Sequence, residues 1–271
     1  MSFADKDAFL TFDRSVRRAF RFARTSEQSA FLAALAETSG SRIVTLKKGF
    51  GLFRAQIGHG WREQEVAPGE YDRFPAVYPP ERMKPDPQHA SDGRANAKGI
   101  PCLYMATNEK TAALEVRPLM GSLITMGYFV LEREVRIVDC SRKLIGNLAR
   151  IVQEHWTLED VEKQVWTDIN DAFSVPTARA DGDLDYVPTQ IIAETLRLCG
   201  FDGIGYKSSF EEKGFNVALF DLDAARLTRR DLHRVGMVDL RLDMVDNTVF
   251  LRDDGSWAQA VITDIRPIDP S

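Results

Sequence analysis

Residues Gly93–Pro118 read GRANAKGIPCLYMATNEKTAALEVRP, and this stretch decides the fold. Arg94 sits in a loop punctuated by Gly93 and Gly99, where backbone can wrap closely around a ligand. Ile100 to Ala106 is a short apolar run bounded by breakers, which predicts a buried strand ending near Tyr104. Thr107 and Asn108 then cap a predicted helix from Glu109 to Glu115, which runs into Pro118. Glu115 therefore falls one to two turns along a short helix of mostly small and apolar residues. That placement suits a working acid better than a solvated one.

Two flanking segments extend the pattern. Upstream, Gly51-Leu52-Phe53-Arg54-Ala55 places an arginine inside an apolar, strand-like run. Downstream, Phe201 to Ser209 (FDGIGYKSS) precedes Gly214 to Phe220 (GFNVALF), a strand, a hydroxyl-bearing turn and a second strand. With these in place the chain resembles the RES family, named for an arginine, a glutamate and a serine. The resemblance rests on LFRA with Arg54, GRxNxxGIPxLYxA, TAALE with Glu115, and GIGYKSS…GFNVALF with Ser208, in family order over about Lys47 to Leu222. It implies an α+β fold like that of ADP-ribosyltransferases, a mixed β core with flanking helices. It also implies cleavage of the nicotinamide–ribose bond of NAD, by phosphorolysis or hydrolysis. NAD is then substrate, inorganic phosphate a co-substrate of the first route, and no cofactor is needed. Several members of the family are toxins neutralised by a partner protein, so an antitoxin partner is implied as well.

Composition sets the bounds. The chain has 271 residues, 44% hydrophobic and 28% charged, as in an ordinary globular protein. The predicted organisation is an N-terminal helical annex over 1–40, a catalytic core over 41–225 and a strand-rich extension over 226–271 packing on the core. No apolar run approaches the ~18 residues of a membrane span, and MSFADKDAFL does not read as a signal peptide. Cys102, Cys140 and Cys199 are odd in number and lack CxxC spacing, which supports neither a disulfide framework nor a zinc site. A reducing, cytoplasmic setting is the expectation. The net charge of −5 argues against a general nucleic-acid binder. Oligomeric state is not legible.

Along the chain, 5–39 reads as helical, with Phe9, Phe12, Val16 and Phe20 at helical spacing and a second helix opened by Ser26 with Gln28. Arg14, Arg17, Arg18, Arg21 and Arg24 form either a solvated helix face or a docking surface for an acidic partner. Residues 57–92, rich in Pro and Gly, read as a long irregular loop serving as lid or wall of a site. Leu123–Val130 and Val135–Val138 read as strands, Leu158–Phe173 and Val187–Cys199 as helices. Thr248–Leu251 and Ala258–Ile262 flank Asp254-Gly255 as a hairpin signal.

The implied chemistry explains the residue types. As nicotinamide leaves with its electron pair, positive charge develops on the ribose, and a carboxylate beside it stabilises that charge. Glu115 is the candidate; the alternative is a helix acid paired with Arg117 or Arg94. Arginine forks suit the substrate's pyrophosphate, which assigns Arg54 and Arg94 to it. A structural ion pair is the alternative for Arg54, plain exposure for Arg94. Tyr104 can stack on nicotinamide or bond a ribose hydroxyl, or be an ordinary core tyrosine. Ser208 is placed to reach phosphate or ribose without acting as a nucleophile, with Ser209 as its neighbour ambiguity. Asn216 is read as holding the Ser208 loop. The histidines show no ligand spacing, and His59 alone merits watching. Two other functions stay open: ADP-ribosyl transfer to a macromolecule, and nucleotide binding without catalysis.

Overall fold

The computed structural model describes residues 2–142, 144, 155–175, 182–239, 249–251 and 256–259. The chain divides into two compact units, Met1–Gly236 and Met237–Ser271. In the second, strands β11 (Val249–Leu251) and β12 (Trp257–Gln259) pair antiparallel; Asp254-Gly255 and residues 260–262 lie outside the described residues.

The first unit opens with helices α1 (Ala8–Arg18) and α2 (Ser26–Ser39). The helical reading of 5–39 needs a correction here. Gln28 is buried and its Nε2 donates to Ser15 Oγ at 2.9 Å and to the Phe20 carbonyl at 3.0 Å, turning the chain at 19–25 and leaving Phe20 outside the helix. The cap of α2 is Thr25 rather than Ser26, in a reciprocal box with Gln28.

Eight strands form one sheet in the order β1-β7-β8-β9-β5-β2-β6-β10. They are β1 (Ile43–Leu46), β2 (Gly51–Ile57), β5 (Leu103–Ala106), β6 (Leu123–Leu131), β7 (Val135–Asp139), β8 (Gly203–Lys207), β9 (Phe215–Leu219) and β10 (Ala225–Arg234). All pairings are antiparallel except β7 with β8, so the sheet is mixed and the class α+β. Strands β6 and β7 are consecutive in the chain yet five places apart in the sheet. Five strand spacings would span about 24 Å if flat, whereas the link 132–134 reaches about 14 Å at most. The sheet must therefore curl over itself. The residues inside the curl agree: Leu52, Leu103, Met105, Phe129, Val135, Ile137, Val217 and Leu219 form one buried cluster drawn from both ends of the strand order.

The opposite face is covered by helices. Alternate residues Val138, Ile204 and Ala218 meet Phe12, Val16 and Leu35 of α1 and α2. The same cluster takes in Val165, Trp166 and Ile169 of α4 (Leu158–Ser174), and Ile192 and Leu196 of α6 (Val187–Leu198). Helix α3 (Glu109–Glu115) packs separately, through Ala112, on Ala55, Ala106 and Met126. The short α5 (Gly182–Asp185) precedes α6.

The predicted irregular loop at 57–92 is in part a hairpin. Strands β3 (Gly60–Ala67) and β4 (Glu70–Ala76) pair antiparallel apart from the main sheet, around Gly69 at φ 78°. WREQEV and EYDRF alternate polar residues onto both faces, so no period-2 apolar signal announces them. A 3-10 turn, Pro80–Met83, follows.

Candidate active site

The sheet parts between β2 and β5. These strands share a single residue pair, Phe53 with Ala106, although β2 pairs with β6 along its whole length. Arg54 Nη1 bridges the gap by donating to the Tyr104 carbonyl at 2.9 Å. A cavity of about 1020 Å³ opens there. Residues 53–57 of β2 and Tyr104 to Ala106 of β5 form its floor, with Glu115, Tyr206 and Asn216 on one side. Pro79, Glu81, Arg82, Lys84, Pro85, Asp86, His89 and Ser91 form its outer wall. The expected lid or wall is thus supplied by the stretch after the hairpin; β3 and β4 do not line the cavity.

Glu115 is positioned from two directions. Asn108 Oδ1 accepts from Thr111 N at 2.8 Å and starts α3, which points Glu115 at the opening about two turns later. A Cβ on Gly214 would overlap Thr111 Oγ1, so only glycine lets the approach to β9 lie this close to the helix. That closeness delivers Asn216, whose Nδ2 donates to Glu115 Oε1 at 2.6 Å, and Ser208, whose Oγ donates to the same oxygen at 3.0 Å. Neither donor uses Oε2. Charge-assisted bonds of this kind are short and strong, so the carboxylate is held by one oxygen, with the other uncommitted among the described residues. Neither Arg117 nor Arg94 forms an ion pair with it among the described residues.

Arg54 is the second constant of the site. Burial pulls its pKa below the ordinary arginine value, its Nε is buried without a partner, and no carboxylate lies within ion-pair distance among the described residues. A desolvated cation without a counter-charge is costly. The structural ion pair weighed for Arg54 is therefore not what the fold provides, and an anionic ligand in the cavity would supply the missing partner.

Other expected residues fall differently. Arg94 does not line the cavity; its two terminal nitrogens donate to the carbonyls of Phe173 and Val175. Carbonyls at a helix C-terminus lack intrahelical donors, and Arg94 fills that need for α4. Tyr104 lines the cavity with its ring, but its hydroxyl donates to Asn96 Oδ1 at 2.6 Å and accepts from Ala95 N at 2.8 Å. The phenol thus braces the Gly93–Asn96 turn and has no proton left for a ribose hydroxyl. Asn216 holds Glu115 itself rather than the Ser208 loop. Ser208 is buried and reaches the cavity only through Glu115, while Ser209 Oγ donates to the Ser174 carbonyl at 2.9 Å. His59 lies against Trp61, outside the cavity.

Sequence reasoning missed Tyr206. Its ring is buried against Phe173, centroids 5.6 Å apart, and it lines the cavity. Burial, and then the charge of Glu115, raise its pKa, so the phenol stays neutral. The signal was its place in GIGYKSS, two residues before Ser208. The outer wall was expected within 57–92, but its individual side chains were not named: Arg82 stacks on Tyr78 at 4.8 Å, Lys84 lies 3.4 Å from Asp223, and His89 bonds Asp86 at 2.6 Å. PPERMKPDPQH carries those groups without any periodicity.

Comparison with known proteins gives a family and a distant structural likeness. The RES domain matches residues 60–244, about two thirds of the chain, with Arg94, Tyr104, Glu115, Ser208 and Asn216 inside and Arg54 just ahead. No curated protein matches the sequence. The fold is similar to a chain of the M. tuberculosis MbcT–MbcA toxin–antitoxin complex, at 12% identity and a TM-score of 0.40, over 74% of this chain and 92% of that one.

Proposed function

This chain belongs to the RES domain family, and from that premise we propose that its cavity binds NAD and breaks the nicotinamide–ribose bond. The observation that carries the reading is the pairing of Arg54, a half-buried cation whose Nε is buried without a partner and which has no carboxylate partner among the described residues, with Glu115, a carboxylate held through one oxygen in the same cavity. The first suits the pyrophosphate and the second the ribose. Arg82 and Lys84 are cations of the outer wall, beside Glu81 and Asp86, and would meet the diphosphate where it leaves the cavity.

In the reaction the C1′–N bond breaks and its electron pair passes to the pyridinium nitrogen, giving neutral nicotinamide. The cationic character left on the ribose ring is stabilised by the Glu115 carboxylate. An oxygen of phosphate or water then bonds to C1′, and when water attacks, its proton is lost to Glu115 or solvent. Ser208 and Asn216 keep the carboxylate aligned throughout, which limits the reorganisation the step requires. The rings of Tyr104 and Tyr206 offer stacking surfaces for nicotinamide. An activity of this kind destroys a central cofactor, so the reading includes a restraining partner protein that covers the cavity.

The test combines binding and product analysis. Glu115→Gln should bind NAD by calorimetry without turning it over. The parent, incubated with NAD with and without phosphate, should yield a ribose product that identifies the nucleophile. Absence of NAD binding by both proteins would remove the proposal.

A further inference from the structure

Two exposed features of the fold lack a partner among the described residues. The β3–β4 hairpin stands outside the main sheet and is solvated on both faces. Trp61 is 57% and Tyr71 67% exposed on it. An isolated two-stranded hairpin is marginal in water, and clustered exposed aromatics mark contact surfaces. Its charge is acidic: Glu63, Glu65, Glu70 and Asp72 outnumber Arg62 and Arg73, and none of the four acids is in an ion pair among the described residues. The base is fixed, because Thr125 Oγ1 donates to the Gly58 carbonyl at 3.0 Å and accepts from Tyr78 N at 3.2 Å. The arm is thus presented in a set direction.

The turn between α1 and α2 has the opposite character. Phe22 is 94% and Phe20 54% exposed. Around them Arg14, Arg18, Arg21 and Arg24 are exposed and form no ion pair among the described residues. Of this cluster Arg17 is the paired member, with Asp13 at 2.8 Å and with Asp185. No ion pair or hydrogen bond joins the turn to the hairpin within one chain among the described residues.

We propose that the acidic hairpin of one copy seats on the basic Phe20–Phe22 turn of a second copy, and reciprocally, to form a two-fold dimer. Each surface carries the charge the other lacks, and both carry exposed rings that a contact would take out of water. A two-fold operation makes both contacts at once, so one chain supplies both halves of the match. Association through unpaired exposed charges is steered by long-range attraction and weakened by salt.

Sedimentation velocity on the full chain tests this. The parent should run as a dimer at low salt and dissociate as sodium chloride is raised. The triple variant Arg18→Glu, Arg21→Glu, Arg24→Glu should be monomeric, its turn and hairpin now both acidic. Glu63→Arg with Glu65→Arg should be monomeric for the opposite reason. An equimolar mixture of the two variants should recover a dimer, since each then meets its complement. All five positions are exposed, so circular dichroism should match the parent in each variant. A monomeric parent at low salt, a dimer that persists in either variant, a mixture that stays monomeric, or growth into open chains would each overturn the proposal.

Discussion

Replacing Glu115 by glutamine separates charge from shape at the site. The amide oxygen can still accept from Ser208 Oγ and Asn216 Nδ2, which stand 3.0 and 2.6 Å from Oε1, while the amide nitrogen takes the place of Oε2. Packing is unchanged and no donor is orphaned. Two charge-assisted hydrogen bonds become neutral ones, a loss of about 1 kcal/mol each at most. For a chain of this size that lowers Tm by a few degrees, roughly 2–4 °C per kcal/mol. Turnover responds far more, because the lost charge acts on the transition state: roughly 100-fold or more, equivalent to about 2.7 kcal/mol. Nicotinamide release followed by chromatography, beside a thermal melt followed by circular dichroism, measures both quantities on one preparation. Glu115→Ala provides the contrast, since it leaves two donors facing empty space and should cost about 1–3 kcal/mol for each buried group unsatisfied. A Glu115→Gln protein that melts normally and releases nicotinamide at the parental rate would refute the reasoning.

Arg54→Lys keeps the charge but loses the fork, and should raise the half-saturating NAD concentration about tenfold or more while Tm changes little; equal affinity would detach Arg54 from the substrate. Arg94→Lys should act the other way, lowering stability by about 1.5–3 kcal/mol in urea unfolding through the lost bonds to the Phe173 and Val175 carbonyls, with NAD affinity unchanged; a pure affinity loss would contradict the helix-capping role. Burial raises the pKa of both Tyr104 and Tyr206 above the ordinary value of 10.0. The folded state then holds protons that the unfolded state has released, so this contribution to stability is complete below pH 10 and is lost as pH rises beyond it. Ultraviolet titration should show at least two of the six tyrosines ionising only as the protein unfolds; six tyrosines titrating together near pH 10 in a folded protein would contradict it.

What was legible in the sequence was local. Asn108 as cap, the small residues of TAALE and the apolar run ending at Ala106 each act over a few residues, and α3 and β5 follow from them. The strand order is different in kind. Leu131 and Val135 are four residues apart yet belong to strands five places apart, and nothing near Glu132-Arg133-Glu134 encodes a sheet that curls. The hairpin escaped because both its faces are polar. At the site, Glu115 and Arg54 stood out as charges in apolar runs, a signal of desolvation that survives without coordinates. Arg94 and Tyr104 carried the same letters as ligand-binding groups, but their partners are a helix end distant in the chain and a nearby turn, neither of them a ligand. Tyr206 had only its place two residues before Ser208 to mark it, because a strand tyrosine looks alike whether it faces a core or a cavity.

The central claim is that this cavity cleaves NAD through Glu115. Purified full-length protein incubated with NAD, with nicotinamide measured by chromatography against the Glu115→Gln protein, tests it most directly. Nicotinamide should appear in step with the disappearance of NAD for the parent, and at roughly one hundredth of that rate or less for the variant. NAD left intact by the parent, or nicotinamide released equally by both proteins, would contradict the account.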